Sequence, residues 1–317
     1  MTQATASPPG GGVSTYIQLS IFAQQSDIES NVAGLKVEGG SWSLEWGPAW
    51  TLTDSNLAYG AAFTPTGASA PSLVAIVTRG TDVNVDPLGI IVQVGQDLRV
   101  IDQLPLPWDT SSSAAISRGT VDAWRDATTM SSKGKLFGKN LPDYLSTVIG
   151  TVPQLVLCGH SLGGALTTAL AVWLASQYGS SLGSTSVQPV TFAAPAIGNQ
   201  AFMSSYQSTY SSNLGFANSL DMIPNAWASL SNIPGLYSPN LTIPGLVQDV
   251  LDRIQRHLSE NHLTYVQQSQ NFTTLTGTFF TESGPNDLAW AKEVLAQHVA
   301  TEYAALLAAA GQVRQAP

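Results

Sequence analysis

Residues 154–173, QLVLCGHSLGGALTTALAVW, constrain the fold more tightly than any other stretch of the chain. An aliphatic run passes through glycines into a segment whose Ala165, Leu166, Ala169, Leu170 and Trp173 share one helical face. The pattern predicts a buried strand, a sharp turn at Ser161 and a helix over 162–177. Gly159 and Gly163 give that turn room, because a side chain there would collide with the neighbouring strand or helix. The turn lifts the Ser161 hydroxyl above the sheet edge and leaves backbone N–H groups, at the positive end of the helix dipole, beside it. Such a serine is either a nucleophile or an inert residue in a glycine-rich turn.

The surrounding chain repeats the strand-then-helix pattern. After QLVLC and its helix come VQPVTFAAP, a helix at roughly 199–210, and NLGFANS. Short connections between such units imply right-handed crossovers, so the expected fold class is α/β, with a mainly parallel sheet covered by helices on both faces. Upstream, WSLEWGPAWTL, LAYGAAFTP and SLVAIVTRG read as strands that open the domain, and LPDYLSTVIGT has helical spacing. Residues 1–13, rich in Pro, Gly, Ser and Thr, read as a disordered leader, and 14–317 as one domain. Within it, 83–95 (VNVDPLGIIVQVG) is a candidate lid, apolar with hinge-like Pro and Gly, and 228–268 a candidate inserted cap with an amphipathic helix at 246–258.

Composition excludes several partners. The 317 residues are 44% hydrophobic and 10% charged, enough for a large core, and the net charge of −9 without any basic cluster argues against nucleic acid or an anionic membrane surface. The lone Cys158, inside an apolar run, rules out an intramolecular disulfide framework and reads as a buried thiol. No apolar run reaches ~18 residues, so no conventional membrane span is expected, and the N-terminus shows no basic and apolar regions of a signal peptide. Residence in a cell compartment or outside it stays open.

A nucleophilic serine needs a base, and the base an orienting carboxylate. Asp221 stands out because it follows GFANSL directly, which puts it past a strand at the same carboxyl edge as the turn. Of the four histidines, His160 adjoins the serine with its side chain directed elsewhere; His257, His262 and His298 all lie downstream of Asp221. The residues alone leave that choice open.

Four stretches in order resemble the fungal-type triacylglycerol lipases, the class 3 lipases, and especially their bacterial relatives. They are VAIVTRGTD, LVLCGHSLGGALTTALA, VTFAAPAIGNQAF and NSLDMIP, with further likeness in ISRGTVDAW. The resemblance spans about 42–227 and implies an α/β-hydrolase fold with a short lid. It implies Ser161 as nucleophile, Asp221 as acid, and the N–H groups of Thr81 and Leu162 as oxyanion donors, with no metal or organic cofactor. NHLTYV around His262 is similar to the base-bearing pattern of fungal members, and AQHVATEYAALL around His298 to the C-terminal Gln-His and Tyr of bacterial ones. His298 is favoured because it absorbs the long insertion, although 288–307 could form one continuous helix. The implied activity is hydrolysis of acylglycerol esters through an acyl-enzyme, with transient contact at a lipid–water interface. A short-chain esterase or thioesterase with the same triad, or a noncatalytic binding member of the fold, are the alternatives.

Overall fold

The structure, a computed structural model, describes residues 10–51, 56–79, 98–280 and 285–311. Its strands are β1 (Gly40–Trp50), β2 (Leu57–Pro65), β3 (Leu73–Arg79), β4 (Gln103–Pro105), β5 (Ala115–Ser117), β6 (Ser132–Lys135), β7 (Gln154–His160), β8 (Ser186–Phe192), β9 (Leu214–Asn218) and β10 (Phe272–Leu275). Eight of them form one sheet in the order β10-β9-β8-β7-β3-β2-β1-β6, and β4 and β5 pair separately. From β3 through β7, β8 and β9 to β10 every pairing is parallel. From β3 back through β2 and β1 to β6 every pairing is antiparallel.

Residue character explains the division. All seven residues of β3 are buried, as are the last six of β7. A strand apolar on both sides needs a helix on each face, and crossover helices supply them. Strand β1 alternates more, with exposed positions at its ends, and the polar β6 closes the edge with Lys133 and Lys135, which discourages further strand pairing.

The helices are α1 (Gly12–Phe22), α2 (Ile28–Gly34), α3 (Arg118–Thr129), α4 (Leu141–Val148), α5 (Leu162–Tyr178), α6 (Gln200–Thr209), α7 (Gly245–Glu260), α8 (Asn286–His298) and α9 (Ala300–Ala309). Helices α3 to α6 cover one face of the sheet, with Leu145, Leu166, Trp173 and Phe202 in the core. Helices α1 and α9 cover the other, where Tyr16, Leu19 and Tyr303 meet Phe63, Val77 and Phe192. None of the described helices is long and apolar enough to cross a membrane.

The structure changes the sequence expectations in three places. A helix, not a strand, opens the domain, and it begins at Gly12, inside the segment expected to be disordered. The carbonyl of buried Gly10 already accepts a hydrogen bond from Trp42 Nε1 at 3.2 Å. Helix α1 escaped notice because it is buried nearly all round, so its sequence carries no helical period. Next, 288–307 is two helices: Val299, at φ −62° and ψ 143°, breaks them. Last, the expected cap region does more than cover. Its α7 packs Leu251 and Ile254 in one cluster with Trp290 and Val294 of α8, and the chain beyond it runs into β10. The candidate lid at 83–95 and the candidate donor Thr81 lie outside the described residues.

Because α1 is core and not leader, Leu19→Ala should cost about 2–5 kcal/mol of stability. Urea unfolding of the full chain measures it, and a change below 1 kcal/mol would return α1 to the periphery.

Candidate active site

The turn between β7 and α5 is set by how closely strand and helix approach. A Cβ on Gly159 would lie 2.5 Å from the backbone of Gly163, and one on Gly164 2.9 Å from Ala194 Cβ. Gly164, passed over in the sequence reading, is therefore as necessary to the turn as Gly159. Thr78 of β3 fastens the junction: its hydroxyl lies 2.7 Å from the Gly163 carbonyl and 2.9 Å from Thr167 Oγ1. With so little space the chain reverses at a single residue, and Ser161 takes φ 60° and ψ −129°, a region costly for any residue with a side chain. Its N–H is held by the Phe192 carbonyl at 2.9 Å. Leu162 follows as the first residue of α5, where N–H groups have no intrahelical acceptor.

Asp221 lies three residues past β9 and is fully buried. Its Oδ1 accepts from the Ile223 N–H at 2.9 Å. Its Oδ2 is 2.8 Å from His298 Nδ1 and accepts from Tyr303 Oη at 2.8 Å. His298 Nε2 in turn is 2.8 Å from Ser161 Oγ. Four side chains thus form one line of hydrogen bonds, Tyr303 to Asp221 to His298 to Ser161. The break at Val299 makes it possible: His298 ends α8 and Tyr303 lies one turn into α9, so both reach the same carboxylate oxygen.

No other histidine joins this line, although the His160 ring packs against it. His262 is exposed, at φ 53° in the turn after α7. His257 Nε2 pairs with Asp102 Oδ1 at 2.8 Å. His160 is buried with its ring 4.9 Å from that of His298 and 5.4 Å from that of Tyr303. Burial first, and the charge of His298 second, push the His160 pKa well below 6.5, so it remains a neutral imidazole. Burial, and then the Asp221 carboxylate, push the Tyr303 hydroxyl well above 10, so it stays a donor. In the strand below, burial pushes the Cys158 thiol up to about 12 and keeps it unreactive.

Sequence reasoning gave Tyr303 no role, nor Asn218 and Gln297 behind it. Asn218 donates through Nδ2 to Gln297 Oε1 at 2.6 Å, and its backbone N–H donates to Tyr303 Oη at 2.9 Å. Gln297 Nε2 donates to the fully buried Glu293 at 2.7 Å. The available signal was the pair of polar residues flanking the apolar strand and the histidine. A cleft of about 370 Å³ opens next to Leu162, which is 37% exposed on its rim.

Sheet order, strained turn and hydrogen-bonded line together define a serine hydrolase with the α/β-hydrolase fold. Residues 75–230, which carry β3, the turn and Asp221, match the family described as Lipase (class 3). The match spans just under half of the chain and makes it similar to the class 3 lipases. No curated protein sequence matches it. Among solved structures it is similar to M37 lipase, with a TM-score of 0.74 and 20% identity over 92% of this chain and 90% of that one. It is also similar to the Rhizomucor miehei triacylglyceride lipase, with a TM-score of 0.46 and 19% identity over 67% of this chain and 71% of that one. A triacylglycerol lipase from Penicillium expansum gives a TM-score of 0.42 and 21% identity over 66% and 71%.

Two outcomes follow from this geometry. Tyr303→Phe removes one donor from Asp221 and orphans the Asn218 N–H, and should lower kcat about tenfold with KM little changed, as an interaction with a buried charge is worth about 1.5–3 kcal/mol. Steady-state kinetics on a soluble ester measures it. Separately, unfolded His160 binds a proton below about its ordinary pKa of 6.5 and the folded residue does not, so this residue lowers stability as pH falls through that value. His160→Phe should make the urea midpoint less sensitive to pH between 6.5 and 5.

Proposed function

We propose that Ser161 is the nucleophile, His298 the base and Asp221 the orienting acid of a triacylglycerol lipase. The observation that carries this reading is the unbroken line of hydrogen bonds from Asp221 through His298 to Ser161. His298 Nε2 takes the Ser161 proton as Oγ attacks the ester carbonyl, giving a tetrahedral oxyanion. The Leu162 N–H, at the start of α5 and helped by its dipole, stabilises that oxygen. Thr81 is the second donor in this reading. Its support is that β3 runs parallel to β7 with Thr78 opposite Gly159, so the chain leaves β3 beside the turn. His298 then gives its proton to the leaving alcohol, freeing a diacylglycerol. Water, deprotonated by the same imidazole, attacks the acyl-enzyme and releases the fatty acid with Ser161 restored. Asp221 fixes the tautomer with Nδ1–H and offsets the imidazolium charge, and no step requires a metal or organic cofactor.

Contact with a lipid–water interface fits the surface. Leu246 and Leu288 are 68% and 54% exposed. They lie in the first turns of α7 and α8, on segments joined by the hydrogen bonds between Asn286 and the Thr242 backbone at 3.1 and 2.7 Å. The position of the base in the C-terminal Gln-His segment supports placing the chain in the bacterial branch.

Wild-type protein should release fatty acid from emulsified trioleoylglycerol, and Ser161→Ala should not, while keeping the wild-type unfolding curve. His298→Ala should lose at least ~10³-fold in rate, and His262→Ala should keep most of it. The opposite ranking of the two histidine variants would remove His298 as the base.

A further inference from the structure

The cleft beside Leu162 has an end as well as a mouth. Near the turn its walls are apolar, formed by Ala165 and Leu166 of α5, Pro195 and Ile197 beyond β8, and Trp227. It then follows α3 from Gly119 to Asp126, roughly 10 Å at the 1.5 Å rise of a helix. It is narrow at its start, since a Cβ on Gly119 would lie 3.3 Å from Val100 Cγ1 opposite. Thr120 and Asp122 line it too, the Thr120 hydroxyl paired with Ser117 Oγ at 2.7 Å, and Ala123 adds a methyl group. Beyond them lies a carboxylate that is partly buried. Asp126 lines the cleft with Asn56, whose Nδ2 donates to Asp126 Oδ2 at 2.8 Å. Asp122, on the same stretch of α3, is exposed and pairs with Arg125 at 2.8 Å. The cleft thus runs from an apolar mouth next to the candidate nucleophile to a partly buried carboxylate–amide pair.

We propose that this cleft holds the acyl chain of the ester and that the Asn56–Asp126 pair sets how long that chain can be. The inference rests on the acyl-transfer reading above and names its substrate class: medium-chain acyl esters. Roughly 10 Å accommodates an extended chain of about eight carbons at about 1.2 Å per bond. Along the apolar walls each added methylene gains about fourfold in kcat/KM. At the pair the gain stops. A methyl group there takes water from a carboxylate and returns no hydrogen bond. A terminal hydroxyl behaves differently, because the carboxylate has lone pairs beyond the one that Asn56 uses.

Two measurements test the proposal. In the first, p-nitrophenyl octanoate and hexadecanoate are compared in mixed micelles, for wild type and for the double variant Asn56→Leu, Asp126→Leu. Replacing both partners of this bond leaves neither of them orphaned. Wild type should prefer octanoate by about tenfold or more, and the variant should lower that preference by at least about fivefold, as two apolar side chains reopen the end. Preference of wild type for hexadecanoate, or a smaller change in the folded variant, overturns the proposal. The second measurement needs no substitution. In wild type, p-nitrophenyl 8-hydroxyoctanoate should react within about tenfold of octanoate, where a wholly apolar end would impose a larger loss. A loss beyond tenfold overturns the proposal even if the variant does not fold. Absence of cleavage of every ester by wild type would instead remove the acyl-transfer reading, and this inference with it.

Discussion

The structure depends on one close approach, that of the first turn of α5 to β7 and β3. Backbone meets backbone at Gly159 and Gly163, and Thr78 bridges them from the neighbouring strand. Strand and helix this near cannot be joined by an ordinary loop, so the reversal falls on Ser161 in a conformation that costs of order 1–3 kcal/mol. The cost is met by rigid surroundings. Strand β7 is paired on both sides, and α5 is buried along most of its length. The strain therefore cannot relax, and the hydroxyl stays where the imidazole meets it.

The charged side of the site is governed by burial. Asp221 has no access to water, and its oxygens are satisfied by a backbone N–H, an imidazole and a phenol. In such a medium a charge interacts far more strongly with its neighbours than it would in water. A second imidazolium beside His298 would oppose its protonation, and His160 lies within ring contact. Keeping His160 neutral removes that opposition.

Much of this was legible in the sequence wherever the signal was local. The all-apolar β3 and β7, the glycines around Ser161 and the carboxylate just past β9 each follow from neighbours a few positions away. Helix α1 was not legible, because a helix with no exposed face loses the periodicity that reveals it. The break at Val299 was not legible either, since AQHVATEYAALL contains neither Gly nor Pro. Residues alone could not choose among His257, His262 and His298. Separation along the chain does not fix distance across a sheet, and only the packing of α8 puts one of them beside Ser161. The role of Tyr303 depends on that same break, and the Asn218–Gln297 pair joins elements 79 positions apart.

The packing of α9 against α1 and the sheet joins the two ends of the described chain across one face. Translation delivers Ser161 first, Asp221 next and His298 much later, and chains grow at about 5–20 residues per second. The sheet and the strained turn can form while the C-terminal helices are still within the ribosome. The imidazole cannot meet the serine until α8 and α9 have emerged and docked. A nascent chain therefore lacks the contact between Ser161 and His298 until α8 and α9 are in place, and the order of residues along the polypeptide acts as a clock.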